Sequence, residues 1–201
     1  MLEQLRGFFE AFILLFVILD VVGNIPIFYS VTKDFPPTER IKIIKSSVKV
    51  ASVLLLFFAV AGWYVLKVFN VSMDDFRIAG GVLLFIIAVE GLLGREKFTK
   101  LRPEEVSVVP LATPLLAGPG SLYTVIYLMQ PPYSPVHAFF SIAANTVIAW
   151  VLLVNSEKVL SKIGRRGAAI LSKIMAFIIA AIAVSMIRVS IVNIAAQIMH
   201  G

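Results

Sequence analysis

Long apolar runs, each about as long as a bilayer is thick, alternate along this chain with short polar stretches rich in lysine and arginine. Six runs can be traced, over residues 8–30, 43–66, 75–94, 106–129, 136–154 and 168–199. About 20 helical residues cross ~30 Å of hydrocarbon. The pattern therefore predicts an all-α membrane protein with six transmembrane helices, one domain over residues 1–201. The run at 136–154 is short, and the one at 168–199 is long enough to tilt or protrude. Residues 11–19 alone have the length of a signal-peptide core. No small-residue cleavage site follows and apolar character resumes at Ile25, which predicts a retained helix.

Two of the runs cannot be continuous helix. In the fourth, Thr113-Pro114-Leu115-Leu116-Ala117-Gly118-Pro119-Gly120-Ser121 holds two prolines and two glycines within seven residues, which removes backbone donors and supplies joints. In the first, Leu19-Asp20-Val21-Val22-Gly23-Asn24-Ile25-Pro26 is interrupted in the same way. Freed N–H and C=O groups at membrane depth are tolerated only where protein buries them or where they line a polar cavity. Each interruption falls near the middle of the first helix of a three-run half, residues 1–97 and 102–201. Weaker matches accompany them: Arg77-Ile78-Ala79-Gly80-Gly81 opens the third run and Lys173-Ile174-Met175-Ala176-Phe177 the sixth, each followed by an Ala-Val pair (Ala88-Val89, Ala183-Val184). Three spans per half make the second copy enter the membrane from the opposite side. The expectation is two inverted three-helix repeats with broken first and fourth helices, a pattern that points to a secondary transporter with its site at the midplane.

Composition agrees with the membrane assignment: 59% of the 201 residues are hydrophobic, 15% are charged, and mean hydropathy is +0.94. There is no cysteine and there are two histidines, His137 and His200, so no disulfide or cysteine metal site is possible and no histidine metal site is expected. The net charge of +6 marks topology rather than nucleic-acid binding. Lys33, Arg40, Lys42, Lys45 and Lys49, then Arg95, Lys97, Lys100 and Arg102, then Lys158, Lys162, Arg165, Arg166 and Lys173 fall on one face, 14 of 18 basic residues. Only Arg6, Lys67, Arg77 and Arg188 belong to the other. The basic face is expected to be cytoplasmic and to meet anionic lipid. Both termini then lie on the extracellular or periplasmic side of the cell membrane.

The half-helices that follow the two breaks start near Asn24–Pro26 and Pro119–Ser121. Approaching from opposite sides, their N-termini would direct positive dipole ends and unpaired N–H groups at one midplane pocket, an anion site that needs no arginine. The half-helices before the breaks end in free carbonyls, suited to an ammonium group or a cation. A zwitterion such as an α-amino acid uses both ends. The expected substrate-binding set is Asp20, Gly23, Asn24, Pro26, Thr113, Pro114, Gly118, Pro119, Gly120 and Ser121, with the glycines leaving room for a small ligand to reach the backbone. Asp20, the carboxylate nearest the midplane, is the coupling candidate. It binds an ammonium group, binds Na⁺ or carries a proton, or else only caps the broken helix. Asn24 and Ser121 are candidate caps as well.

Val109-Pro110-Leu111-Ala112-Thr113-Pro114-Leu115-Leu116-Ala117-Gly118-Pro119-Gly120 resembles the central signature of the MarC family of integral membrane proteins. Gly23-Asn24-Ile25-Pro26-Ile27-Phe28 is similar to that family's first-helix motif, and Phe76-Arg77-Ile78-Ala79-Gly80-Gly81-Val82-Leu83-Leu84-Phe85 to its third-span motif. The resemblance covers essentially the whole chain. It implies a MarC/SnatA-like transporter of small neutral amino acids such as glycine or alanine, proton-linked in some members. Many members carry Asn-Pro where this chain has Asp20-Val21, which places an acid where an amide is common and removes one helix breaker.

Other polar residues at depth have structural roles as their first expectation. Glu90 and Arg188 are expected to snorkel or pair near the two faces. Asn145 and Thr146 are expected to hydrogen-bond between helices. Gly80-Gly81 and Ala143-Ala144 are expected to let helices approach closely, and Pro131, Pro132 and Pro135 to stiffen an outer turn. No nucleophile elbow, HExxH helix or phosphate-binding loop occurs, so neither an enzyme nor a bound cofactor is expected. An intramembrane enzyme acting on lipid and a small-anion channel are the alternatives to a carrier.

Overall fold

The computed structural model describes residues 2–93 and 111–200. Every regular element in them is helical: α1 (Leu2–Leu19), α2 (Val21–Thr32), α3 (Pro37–Val68), α4 (Met73–Leu93), a wide turn over Leu111–Leu116, α5 (Pro119–Leu128), α6 (Pro135–Val154) and α7 (Ser156–His200). Five stretches are long and apolar enough to cross a membrane: Arg6–Tyr29, Pro37–Val68, Met73–Leu93, Pro135–Val154 and Ala169–Met199. They match the first, second, third, fifth and sixth apolar runs. The fourth run begins outside the described residues, as do Val109, Pro110 and the basic cluster Arg95, Lys97, Lys100 and Arg102. Its described part is the turn plus α5.

Local chemistry sets the element ends. Pro37 sits at the start of α3, where its missing N–H costs nothing and its fixed φ suits a helix. Ser72 and Asp75 cap α4 reciprocally: Asp75 N–H donates to Ser72 Oγ (3.0 Å), and Ser72 N–H to Asp75 Oδ2 (3.1 Å). α6 and α5 each carry proline in the first turn. α7 is bent at Gly164, whose φ of 73° and ψ of 163° only glycine adopts readily. The long sixth run thus begins after a joint, with the amphipathic residues 156–163 set apart from it.

The helices pack around α5. Seven of its ten residues are buried (Gly120, Ser121, Tyr123, Thr124, Val125, Ile126 and Leu128), and it touches α1, α3, α4 and α6. α4 lies along α7, and α1 along α6. Glycine sets the first of these approaches. A Cβ on Gly81 would come within 2.9 Å of the Ala183 carbonyl oxygen and 2.8 Å of Ile187 Cγ1, and one on Gly80 would lie 3.4 Å from the Pro119 carbonyl oxygen. The expected close packing is therefore present at Gly81, while a methyl at Gly80 would meet its neighbours at ordinary contact distance. Ala143 does not share this role, since it is exposed.

Interhelical hydrogen bonds fall where the mid-span polar residues were expected. Asn145 Nδ2 donates to the Phe12 carbonyl of α1 (3.2 Å) and to its own Ser141 carbonyl (2.8 Å). Thr146 Oγ1 and Ser52 Oγ of α3 are 2.9 Å apart. Glu90 and Arg188 are exposed. On the basic face Arg40 pairs with Glu157 at 2.9 Å, linking the starts of α3 and α7. The Pro131–Pro132 peptide between α5 and α6 is cis.

Candidate functional site

The first interruption is a single residue. Asp20 takes φ 45°, ψ 45°, the left-handed region in which Asp is tolerated better than most residues. Its carboxylate accepts a hydrogen bond from Gly23 N–H (3.1 Å). Of the roles open to Asp20 in the sequence, capping of α2 is therefore directly observed. A side chain on Gly23 would collide with that carboxylate, 2.6 Å from Asp20 Cγ, so the room at Gly23 is taken up by the cap. Asn24 is buried, and its Nδ2 reaches back to the last carbonyl of α1, Leu19 (3.1 Å). Pro26 sits inside α2 and supplies no N–H for the Val22 carbonyl.

The second interruption is longer. Ala117 N–H donates to the Ala112 carbonyl (2.7 Å), a five-residue step wider than an α-helical turn. Thr113 is extended at φ −129°, ψ 130°, and Gly118 at φ −91°, ψ 174°. Pro114 lies in this turn; Pro119 opens α5. Ser121, a candidate cap in the sequence, does not cap α5. Gly118 occupies the N-cap position with no side-chain hydrogen bond. The Ser121 hydroxyl instead lies 2.9 Å from both the Leu116 and Gly118 carbonyl oxygens and donates to them. A serine one turn into a helix cannot accept from that helix's own first N–H groups, whereas the Leu116 carbonyl before the break and the Gly118 carbonyl, which also accepts the Leu122 N–H (2.9 Å), lie within its reach.

Both interruptions thus close in one way. A polar side chain just past the break donates to the carbonyl five residues before it, Asn24 to Leu19 and Ser121 to Leu116. The two are also neighbours. A Cβ on Gly120 would lie 3.1 Å from Ile18 Cγ2, two residues before Asp20, and would overlap Leu84 Cδ1 of α4. α2 touches the Leu111–Leu116 turn. Leu19, Val21, Ile25, Leu116 and Ala117 share one buried cluster. The two interrupted segments are therefore neighbours, and the space at Gly120 is filled by Leu84.

Leu84 and Gly80, which the sequence did not mark as site residues, line this region through contacts between distant segments. Arg77, one turn further out on α4, lies with its guanidinium carbon 5.2 Å from the centre of the Tyr123 ring. An arginine inside an apolar run was the available signal. Among the described residues no three acidic or histidine side chains gather as a metal site requires.

A family model described as MarC family integral membrane protein matches residues 5–195. The chain belongs to the MarC family. Relatives agree over nearly their full length. The chain is 38% identical to UPF0056 membrane protein MJ1677 of Methanocaldococcus jannaschii, over 92% of this chain and 95% of the relative. It is 35% identical to UPF0056 membrane protein PYRAB13050 of Pyrococcus abyssi, over 93% and 95%. It is 30% identical to UPF0056 membrane protein YvbG of Bacillus subtilis, over 89% and 90%. No solved structure matches. Membership in the MarC family and the five candidate spans make this a multi-pass integral membrane protein.

Proposed function

We propose that this MarC-family protein is a secondary transporter of small neutral amino acids of the glycine and alanine kind, coupled to H⁺ or Na⁺. In this reading residues 1–97 and 102–201 are inverted three-helix repeats, six spans in all, and one repeat moves against the other to give alternating access. The substrate carboxylate is held by the N-terminal ends of α2 and α5, and its ammonium group by carbonyls before the breaks and by Asp20. Asp20 is the coupling residue. The protein lies in the cell membrane with both termini outside and its basic loops in the cytoplasm.

One observation carries the reading: two helix interruptions from different halves of the chain lie side by side, each closed by a side chain donating to the carbonyl five residues back. Two unrelated kinks have no reason to share a neighbourhood or a closure, whereas two copies of one unit do. Gly23 and Gly120 are each covered by one side chain, so displacing it would open room for a small solute and not for a bulky drug. Leu84 over Gly120 and the Asp20 carboxylate under Gly23 are the groups that a ligand would displace.

Purified protein in liposomes tests the proposal. Saturable uptake of labelled glycine, competed by alanine and driven by a pH or Na⁺ gradient, is expected. Conductance without saturation would make the protein a channel, and chemical turnover of a bilayer lipid would make it an enzyme.

A further inference from the structure

Arg77 lies four residues into α4, about 6 Å from the helix start and one turn outside the Gly80–Pro119 contact. Its side chain is half-buried and Nε is sealed from solvent without a hydrogen-bond partner. Among the described residues no carboxylate pairs with it; its one contact of polar character is the face of Tyr123. A cation in an apolar span is costly and ordinarily finds a counter-charge. Neither acid at the start of α4 forms an ion pair with it, although Asp74 is near enough to act electrostatically on Tyr123. Asp74 Oδ1 accepts from Asn193 Nδ2 of α7 (3.2 Å), and Asp75 is held in the Ser72 cap.

The direction in which the guanidinium faces selects its partner. Tyr123 is buried in the cluster formed with Leu84, Ala183 and Met186, and its ring stacks on Tyr127 at 6.0 Å and 10°. Arg77 therefore points between α4 and α5, into the bundle, rather than out towards lipid headgroups. Stacking on an aromatic face orients the guanidinium fork, which is matched to a carboxylate. We propose that Arg77, stacked on Tyr123, is an outer docking site for the carboxylate of the solute, reached before the interrupted helices one turn deeper; this rests on the transport reading above.

The chain has no cysteine, so Arg77→Cys introduces its single thiol. In phosphatidylcholine nanodiscs, Arg77→Cys should weaken glycine binding by about tenfold or more, the scale of a charge-assisted hydrogen bond. Modification with a cationic aminoethyl thiosulfonate should restore binding, and an anionic sulfonatoethyl reagent should not. Saturating glycine should slow either modification several-fold. Wild-type affinity, or modification at the same rate with and without glycine, would overturn the proposal. Modification slowed only by phosphatidylglycerol in the disc would also overturn it, in favour of a lipid headgroup. If the unmodified protein binds no amino acid, the transport reading fails separately. Slower modification of wild-type Arg77 by phenylglyoxal in acetate would then still support an oxyanion site at Arg77, and no slowing would remove it. Arg77→Lys keeps the charge without the fork and is expected to cost several-fold in affinity. Should Arg77→Cys aggregate, unchanged affinity in Arg77→Lys would decide against the site.

Discussion

Asp20 has an observed role as the cap of α2 and a proposed one in coupling, and single substitutions separate them. Its side chain caps α2 through Gly23 N–H, and Asn caps a helix as well as Asp does and tolerates the same left-handed backbone. Asp20→Asn should therefore leave thermal stability in detergent close to wild type while removing the pH dependence of glycine uptake. Retained pH dependence would leave Asp20 with the cap alone. Asp20→Ala loses the cap, about 1 kcal/mol, which lowers the unfolding midpoint by about 2–4 °C in a chain of this size. Ser121→Ala removes the donor that serves the buried Leu116 carbonyl, while the Gly118 carbonyl keeps the Leu122 N–H. Buried acceptors left unsatisfied cost about 1–3 kcal/mol, so this variant should be the less stable of the two alanine substitutions, read in the same thermal assay.

At the scale of elements, the contact between α4 and α7 depends on one glycine of a pair. A methyl at position 81 meets the Ala183 backbone carbonyl at 2.9 Å, which cannot rotate away, whereas one at position 80 sits at ordinary contact distances of 3.4–3.6 Å. Gly81→Ala is expected to destabilise the protein by about 1–3 kcal/mol, and Gly80→Ala to be nearly neutral; equal thermal shifts would contradict the packing. The same elements show what hydropathy reveals. The apolar runs located five spans to within a few residues, except that α3 begins at Pro37 rather than 43, because Glu39, Arg40 and Lys42 continue a helix that hydropathy does not register. Proline and glycine located the second interruption, whereas the first falls at Asp20 and α2 starts at Val21 rather than near Asn24–Pro26, with Gly23 and Pro26 inside it. The fillings of the interruptions were not legible: Leu84 over Gly120 and the Ser121 hydroxyl on carbonyls depend on chain segments meeting in space. Ala143 was assigned to a packed face and is exposed, because lipid and protein interior are both apolar and a span carries little sign of which face meets which.

For the whole molecule, the gathering of basic residues predicts an orientation that is directly testable. In a chain without cysteine, Pro132→Cys in the exposed turn before α6 should react with an impermeant thiol reagent added outside intact cells. Lys162→Cys, exposed on the opposite face, should react only after the membrane is opened; the reverse pattern would invert the topology. The brevity of α5 bears on how the protein is made. Ten residues rise about 15 Å, half of what a lipid-embedded span requires. The insertion machinery therefore meets, at this point in synthesis, an apolar stretch whose unbroken helix is too short to cross lipid by itself. Helices α1, α3 and α4 are made before it and α6 after it, so α5 must wait at the translocon for the first three or be received directly among them. A nascent chain arrested soon after Leu128 should therefore still crosslink to the translocon through α5, with release into the bilayer following only once α6 has emerged.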